Sequence, residues 1–319
     1  MAEIVCVGIL CVDALAKPVD GLPEKGKLKL VDSITLQIGG CAANVSISLA
    51  KIGLQASVIG RIGNDRLGEI LLDTLKTEKV DVKGLKVDSS VSTSASLVMI
   101  SNDSERSIVH SMGANRYFCF EDIDLDIIRN SRILLIAGTF LMPAFDGKGT
   151  EKLLKWAKEN NVLCCMDTAW DSTGEWMNKI EICLPYLDWF MPSYEEASKL
   201  SGKTDLKEMA QLFLSKGVKN VVIKLDRQGC FVMPQNEMGY IIPSYNKIDV
   251  KDSSGAGDSF CAGFIAGLYN QWDVRKCALF ANAVGAHCVM EIGTTTGIKT
   301  MDKVLAFMKD YETGNLAVY

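Results

Sequence analysis

Short apolar runs recur along this chain between longer amphipathic stretches, and no other feature constrains its fold as much. Residues 4–10, 57–59, 133–137, 162–166, 189–191 and 221–225 have the length and continuity of buried strands. Between them, residues 41–52, 65–77, 151–160, 195–200 and 207–216 carry apolar side chains at helical spacing. Strand and helix in alternation predict an α/β fold with a mostly parallel central sheet flanked by helices on both faces. The rhythm breaks twice. Residues 27–38 alternate apolar and polar positions, and residues 95–100 with 107–110 resemble a polar-faced hairpin around Asn102-Asp103. Alternation of period two marks strands with one wet face. These segments, about 14–38 and 92–115, are expected to form a small β-sheet lid on a single domain spanning 1–319. The last third turns helical, at 258–269, 274–290 and 301–311.

Composition narrows the function classes. With 319 residues, 48% of them hydrophobic and 23% charged, the chain can bury a sizeable core. A net charge of -5 argues against general affinity for nucleic acid. No apolar run approaches the ~20 residues of a membrane span, and the first residues lack the basic start of a signal peptide. Eleven cysteines without a CxxC pair read as buried thiols in a reducing, cytoplasmic setting. Only His110 and His287 are available for histidine chemistry. Residues 21–28, GLPEKGKL, nearly spell a phosphate-binding loop but end in Leu28 where a hydroxyl must meet magnesium, so they read as a turn.

The stretch DSSGAGDSFCAGF, residues 252–264, carries the chemistry. The first turn of any helix exposes unpaired N–H groups and a partial positive charge. Gly255, Ala256 and Gly257 leave those donors open to an anion, and Asp258 stands where such a cradle would meet the helix. An acid there can take the proton of an attacking hydroxyl. Taken alone, the stretch leaves a phosphate cradle and an N-capping aspartate evenly matched.

This stretch resembles the DTxGAGD signature of the ribokinase-like (PfkB) carbohydrate kinases, with Ser253 in place of threonine. Gly39-Gly40-Cys41-Ala42-Ala43-Asn44 is similar to that family's GG-x-x-AN motif, and residues 60–68, GRIGNDRLG, to its G-x-x-G-x-D-x-x-G segment. The three stand in the family's order over essentially the whole chain. The resemblance implies transfer of the γ-phosphate of ATP to a sugar, with Asp258 as general base and Gly255, Ala256 and Gly257 steadying the migrating phosphate. Asp13, read as the end of the first strand, together with Gly39, Gly40, Asn44 and Asp252, would hold the sugar. Asp252 would also lie near a site for a monovalent cation such as K+. For the nucleotide, the resemblance implies Ser193, Lys224, Asp226, Gly229 and Asn282. Here Ser193 replaces the family's asparagine and Asp226 its usual glycine. Glu196 is the expected residue for Mg2+.

An acidic pocket suits a neutral acceptor, and the expected substrate is a furanose-type sugar of the ribose or fructose class. Cys41 stands where ribokinase-type sequences carry lysine, which weakens ribose. A sugar phosphate would need basic offsets, for which Arg106 and Arg116 in or near the lid are the candidates, and a 2-keto-3-deoxy sugar acid would need a carboxylate-binding arginine that the sequence does not place. A ribonucleoside is the alternative acceptor, with Tyr117, Phe118, Phe140 and Trp170 available for stacking. A non-catalytic sensor of sugar or nucleotide is the alternative from another class. Lid strand edges further predict a homodimer paired through the lid.

Overall fold

Ile4 and Cys6 point to one side of the first strand, Val5 and Val7 to the other, and all four are fully buried. A strand buried on both faces must lie inside a covered sheet. The computed structural model describes residues 2–102 and 106–313, the side chains of Arg106 and Thr313 excepted. In chain order come β1 (Ile4–Gly8), β2 (Cys11–Lys17), β3 (Ser33–Gly39), α1 (Cys41–Ile52), β4 (Ala56–Gly63), α2 (Arg66–Thr77) and β5 (Asp81–Asp88). Next are β6 (Ala95–Ile100), β7 (Arg106–Ser111), α3 (Leu125–Arg129), β8 (Ile133–Thr139), α4 (Lys148–Glu159) and β9 (Leu163–Thr168). Then follow α5 (Met177–Ile180), β10 (Trp189–Phe190), α6 (Tyr194–Ser201), α7 (Leu206–Ser215) and β11 (Asn220–Lys224). The remaining elements are β12 (Cys230–Pro234), β13 (Tyr240–Ile242), α8 (Ala256–Tyr269), α9 (Val274–Val289) and α10 (Met301–Thr313).

The main sheet has nine strands in the order β13-β12-β11-β10-β9-β8-β1-β4-β5. From β11 to β5 every pairing is parallel, while β12 and β13 add an antiparallel edge. Period-two alternation divides the strand side chains between two cores. Ile4, Cys6, Val58, Leu135 and Cys165 pack with α1, α2, α8, α9 and α10. Val5, Val7, Ile59, Leu134 and Met166 pack with α4, α6 and α7 on the opposite face.

A second sheet of four strands, β3-β2-β6-β7, stands apart from the first. Its registers set Gln37 opposite Asp13, Asp13 beside Ser96, and Ser96 opposite His110, so these four side chains form one row across one face. The next row, Leu36, Ala14, Leu97 and Val109, faces the other way. Asp13 therefore belongs to this second sheet, not to the end of the first strand: only Ile9 and Leu10 separate β1 from β2. The alternation over 27–38 yields a strand only from Ser33, because the stretch before it runs exposed and finds no neighbouring strand. Residues 21–28 are exposed, as befits a turn. The expected hairpin is the β6–β7 pair, and part of its tip, from Asp103, lies outside the described residues.

The GRIGNDRLG segment ties the two sheets together. Asp65 caps α2 by accepting from the Gly68 N–H at 2.9 Å. It also accepts from the Thr93 N–H at 2.8 Å and its hydroxyl at 2.7 Å, just ahead of β6. Arg61 bonds Asp122 at 2.9 Å and the Tyr117 carbonyl at 2.8 Å, fixing the chain that leaves β7.

Candidate active site

The helix-opening turn at α8 is built by a residue that must be glycine. Gly255 has φ 76, and a Cβ there would stand 2.3 Å from the Thr294 carbonyl oxygen. No side chain caps this helix. Asp258 is consequently not an N-cap: it projects from the first turn, where its Oδ2 accepts from Asn44 Nδ2 at 2.8 Å. Asn44 is itself buried on α1, and its Oδ1 accepts from the Thr294 hydroxyl at 3.0 Å. Neither residue does capping work, so both are released for the site. Burial raises the Asp258 carboxyl above its ordinary range, while Asn44 and Lys224 pull it back.

Beneath the glycine turn lies a charge cluster. Lys224, ending β11, bonds Asp167, near the end of β9, at 2.5 Å. Burial pushes the Asp167 carboxyl up to about 7 despite that lysine, and Glu196 and Asp258 add to the rise. Burial also works against the charge of Lys224, but Asp167, Cys261 and Glu196 together outweigh it, so the ammonium keeps its proton. Cys41, opening α1, brings its thiol to the same place: Cys41 Sγ and carboxylate oxygens of Asp167 and Asp258 all lie within 4.8 Å of one another. Glu196 Oε2 accepts from the Ser193 N–H and the Thr168 hydroxyl, each at 2.9 Å. The Ser193 hydroxyl closes a capping box on α6, which explains how serine serves in that position.

A cavity of about 1140 Å³ runs from this cluster along α8 and α9. Cys41, Asp167, Glu196, Lys224 and Asp258 line one end. Gly229, Tyr245, Ile248, Val250 and Asn282 line the rest. Asp226 adopts φ 51, the left-handed conformation that aspartate tolerates better than most residues, so it fills a position that suits glycine. Asn282 is buried, and its Nδ2 donates to the Ile242 and Pro243 carbonyls at 3.2 and 3.1 Å, clipping the end of β13 to α9. Residues 244–250 carry no periodic signal, and sequence reasoning missed them; Tyr245 is fixed there by ring contacts with Phe307 and Tyr311.

Asp13 lies against the backbone that leads into α1. A Cβ on Gly39 would stand 2.1 Å from Asp13 Oδ2, so the glycine pair exists to let backbone and carboxylate approach. Asp252 accepts from the Ser254 and Gly293 N–H groups, both at 2.9 Å, and so holds two turns together. Gln37, Ser96 and His110 share the row of Asp13 and were not foreseen; a strand register found from sequence would have exposed them. Of the aromatics, Phe118 and Phe140 are buried, whereas Tyr117 and Trp170 are about half exposed. Phe140, Trp176 and Trp170 form an edge-to-face chain with centroids 5.6 and 5.0 Å apart. Arg116 is exposed, and the Arg106 side chain lies outside the described residues.

A large cavity that closes on a half-buried carboxylate at the open end of a helix suits a small-molecule phosphotransferase. This chain belongs to the pfkB family of carbohydrate kinases, whose model matches residues 1–301. It is 29% identical to a 5-dehydro-2-deoxygluconokinase of Clostridium perfringens, over 85% of this chain and 84% of that protein. A 5-dehydro-2-deoxygluconokinase of Geobacillus kaustophilus is 25% identical, over 99% and 96%. Among solved structures, Arabidopsis thaliana ribokinase complexed with ribose and ATP superposes with a TM-score of 0.86 at 25% identity, covering 97% of this chain and 99% of that one. Thermotoga maritima ribokinase gives 0.83 at 26%, covering 97% and 100%. The fold is ribokinase-like, the protein is a sugar kinase, and the sensor reading gives way. No helix among the described residues is long and apolar enough to cross a membrane.

Proposed function

We propose that this kinase transfers the γ-phosphate of ATP to a terminal hydroxyl of a neutral, furanose-type sugar, with Asp258 as the general base. One observation carries the reading. Asp258, tied to Asn44 through Oδ2, stands in the first turn of α8, whose start no side chain caps. A hydroxyl placed there can lose its proton to the carboxylate while the helix amides and Lys224 balance the charge on the phosphoryl group. Asp13, with Gln37, Ser96 and His110 in its row, orients the sugar, and the four-stranded sheet serves as the lid that excludes water.

Glu196 suits Mg2+, since both its hydrogen bonds fall on Oε2 and it lines the cavity. Bound magnesium would neutralise phosphate oxygens. Asp252 holds its loop against Gly293, and that junction is where we place a monovalent cation such as K+. The row on the lid is neutral or acidic, and Lys224 is already paired with Asp167, which favours a neutral acceptor. A sugar acid is the second reading, supported by the names of the relatives at 29% and 25% identity. A ribonucleoside would stack on the Phe140–Trp176–Trp170 wall. A second copy of the chain is the partner we assign to the outer lid face, where Leu36, Leu97 and Val109 are exposed. The deciding experiment is ATP-coupled ADP release with fructose, ribose, 5-dehydro-2-deoxygluconate and ribonucleosides. A neutral ketose or pentose should give the highest kcat/KM; a sugar acid in first place overturns the substrate reading.

A further inference from the structure

We propose that the acceptor end of the cavity also binds one thiophilic divalent cation of the zinc or cadmium class, held by Cys41 Sγ and by a carboxylate oxygen each of Asp167 and Asp258. The three donors come from α1, β9 and α8 and lie within 4.8 Å of one another. Asp167 gives Oδ1 to Lys224 and Asp258 gives Oδ2 to Asn44, while the Cys41 thiol already hydrogen-bonds Asp258, so a bound cation takes the place of that thiol proton. Tetrahedral zinc with bonds of about 2.0–2.3 Å holds its donors roughly 3.5 Å apart. Modest side-chain rotation closes the cage, and the larger cadmium ion needs less.

Charge favours occupancy. Asp167, Asp258 and Glu196 line this end of the cavity with a single ammonium, that of Lys224, which is bonded to Asp167. The thiol supplies selectivity, because magnesium prefers oxygen ligands and gains nothing from sulfur. On binding, an Sγ–metal bond replaces the S–H bond and the proton leaves to solvent. The cation then covers the Asp258 oxygen that an acceptor hydroxyl needs, so metal occupancy and phosphorylation exclude each other. This inference goes beyond the kinase reading and does not depend on which sugar is used.

The test is titration of the full chain with Cd2+ alone, without nucleotide or sugar, following the cadmium–thiolate charge-transfer absorbance. Cys119, the other half-buried thiol, supplies the control. Wild type and Cys119→Ser should bind one equivalent with equal affinity, and Cys41→Ser should bind at least about tenfold more weakly and lack the band. An undiminished band in Cys41→Ser, or no band in wild type, overturns the proposal. If Cys41→Ser does not fold, alkylation of wild type read by mass spectrometry decides instead. Cd2+ must then protect Cys41, and labelling at an unchanged rate overturns the site. Because no substrate is present, failure here leaves the kinase reading untouched, and failure of the sugar panel leaves this one untouched.

Discussion

Asp258 is pulled two ways by its position. The start of α8 favours the carboxylate anion, whereas burial disfavours it, and burial wins, leaving the carboxyl raised above its ordinary value. A base with a raised pKa is a stronger one, provided something keeps it ionised and aimed; the Asn44 amide does both. Asp258→Asn should lower kcat by about 10²–10⁴-fold while sugar binding survives, measured by coupled ADP release and calorimetry. A near-normal kcat would refute the base assignment. Asn44→Ala removes a donor to the charged form, so the acid limb of the kcat–pH profile should move to higher pH. A merely structural asparagine would lower activity without moving that limb. Much at this scale was legible in advance. Asp258, the glycine turn, Glu196 and Lys224 stood in recognisable motifs, and the structure gathers all of them at one cavity. What the motifs hid was the connection between them. Asn44 was expected to hold the sugar, and its use as a tether for Asp258 spans 214 positions. No local signal could supply that. Asp226 departs from the family's glycine yet adopts a left-handed backbone conformation that glycine also favours.

At the scale of elements, the loop between β8 and α4 is held under internal tension. Phe140 holds φ 86, unusual for a bulky side chain, and faces Trp176. Asp146 reaches back to the loop, accepting from the Met142 N–H at 2.8 Å, while its Oδ1 has no partner. Burial pushes this carboxyl up to about 7. It therefore binds its proton more tightly folded than unfolded. Its contribution to stability is present below the unfolded pKa, near 3.9, and is lost as pH rises through about 7. Asp146→Asn cannot ionise, so its stability relative to wild type should improve between pH 5 and pH 8, by on the order of 2–4 kcal/mol. Denaturant melts at the two pH values measure this, and an equal difference at both would sink it. Elements with strong periodicity were readable from sequence: α1 was placed at its observed bounds, and the core strands to within a few residues. β2, β5, β12 and β13 escaped for separate reasons. β2 continues from β1 after two residues, without turn chemistry. β5 mixes charged and apolar positions at a sheet edge. β12 and β13 turn antiparallel, against the pattern set by the parallel strands before them.

The whole molecule is organised by the two-sided second sheet. Successive positions on β2 face opposite ways: Asp13 joins the row of Gln37, Ser96 and His110, and Ala14 the outer row with Leu36, Leu97 and Val109. That outer face, with the unpaired edges of β3 and β7, is expected to pair with a second copy of the chain. Light scattering behind size exclusion should give a dimer mass for wild type and a monomer for Leu97→Lys; a monomeric wild type sinks the pairing. The tether between Asn44 and Asp258 has a different consequence, one that concerns biosynthesis. Its two ends leave the ribosome more than 200 codons apart. A partly made chain can thus build strands and early helices, yet it holds no poised base with which to squander ATP.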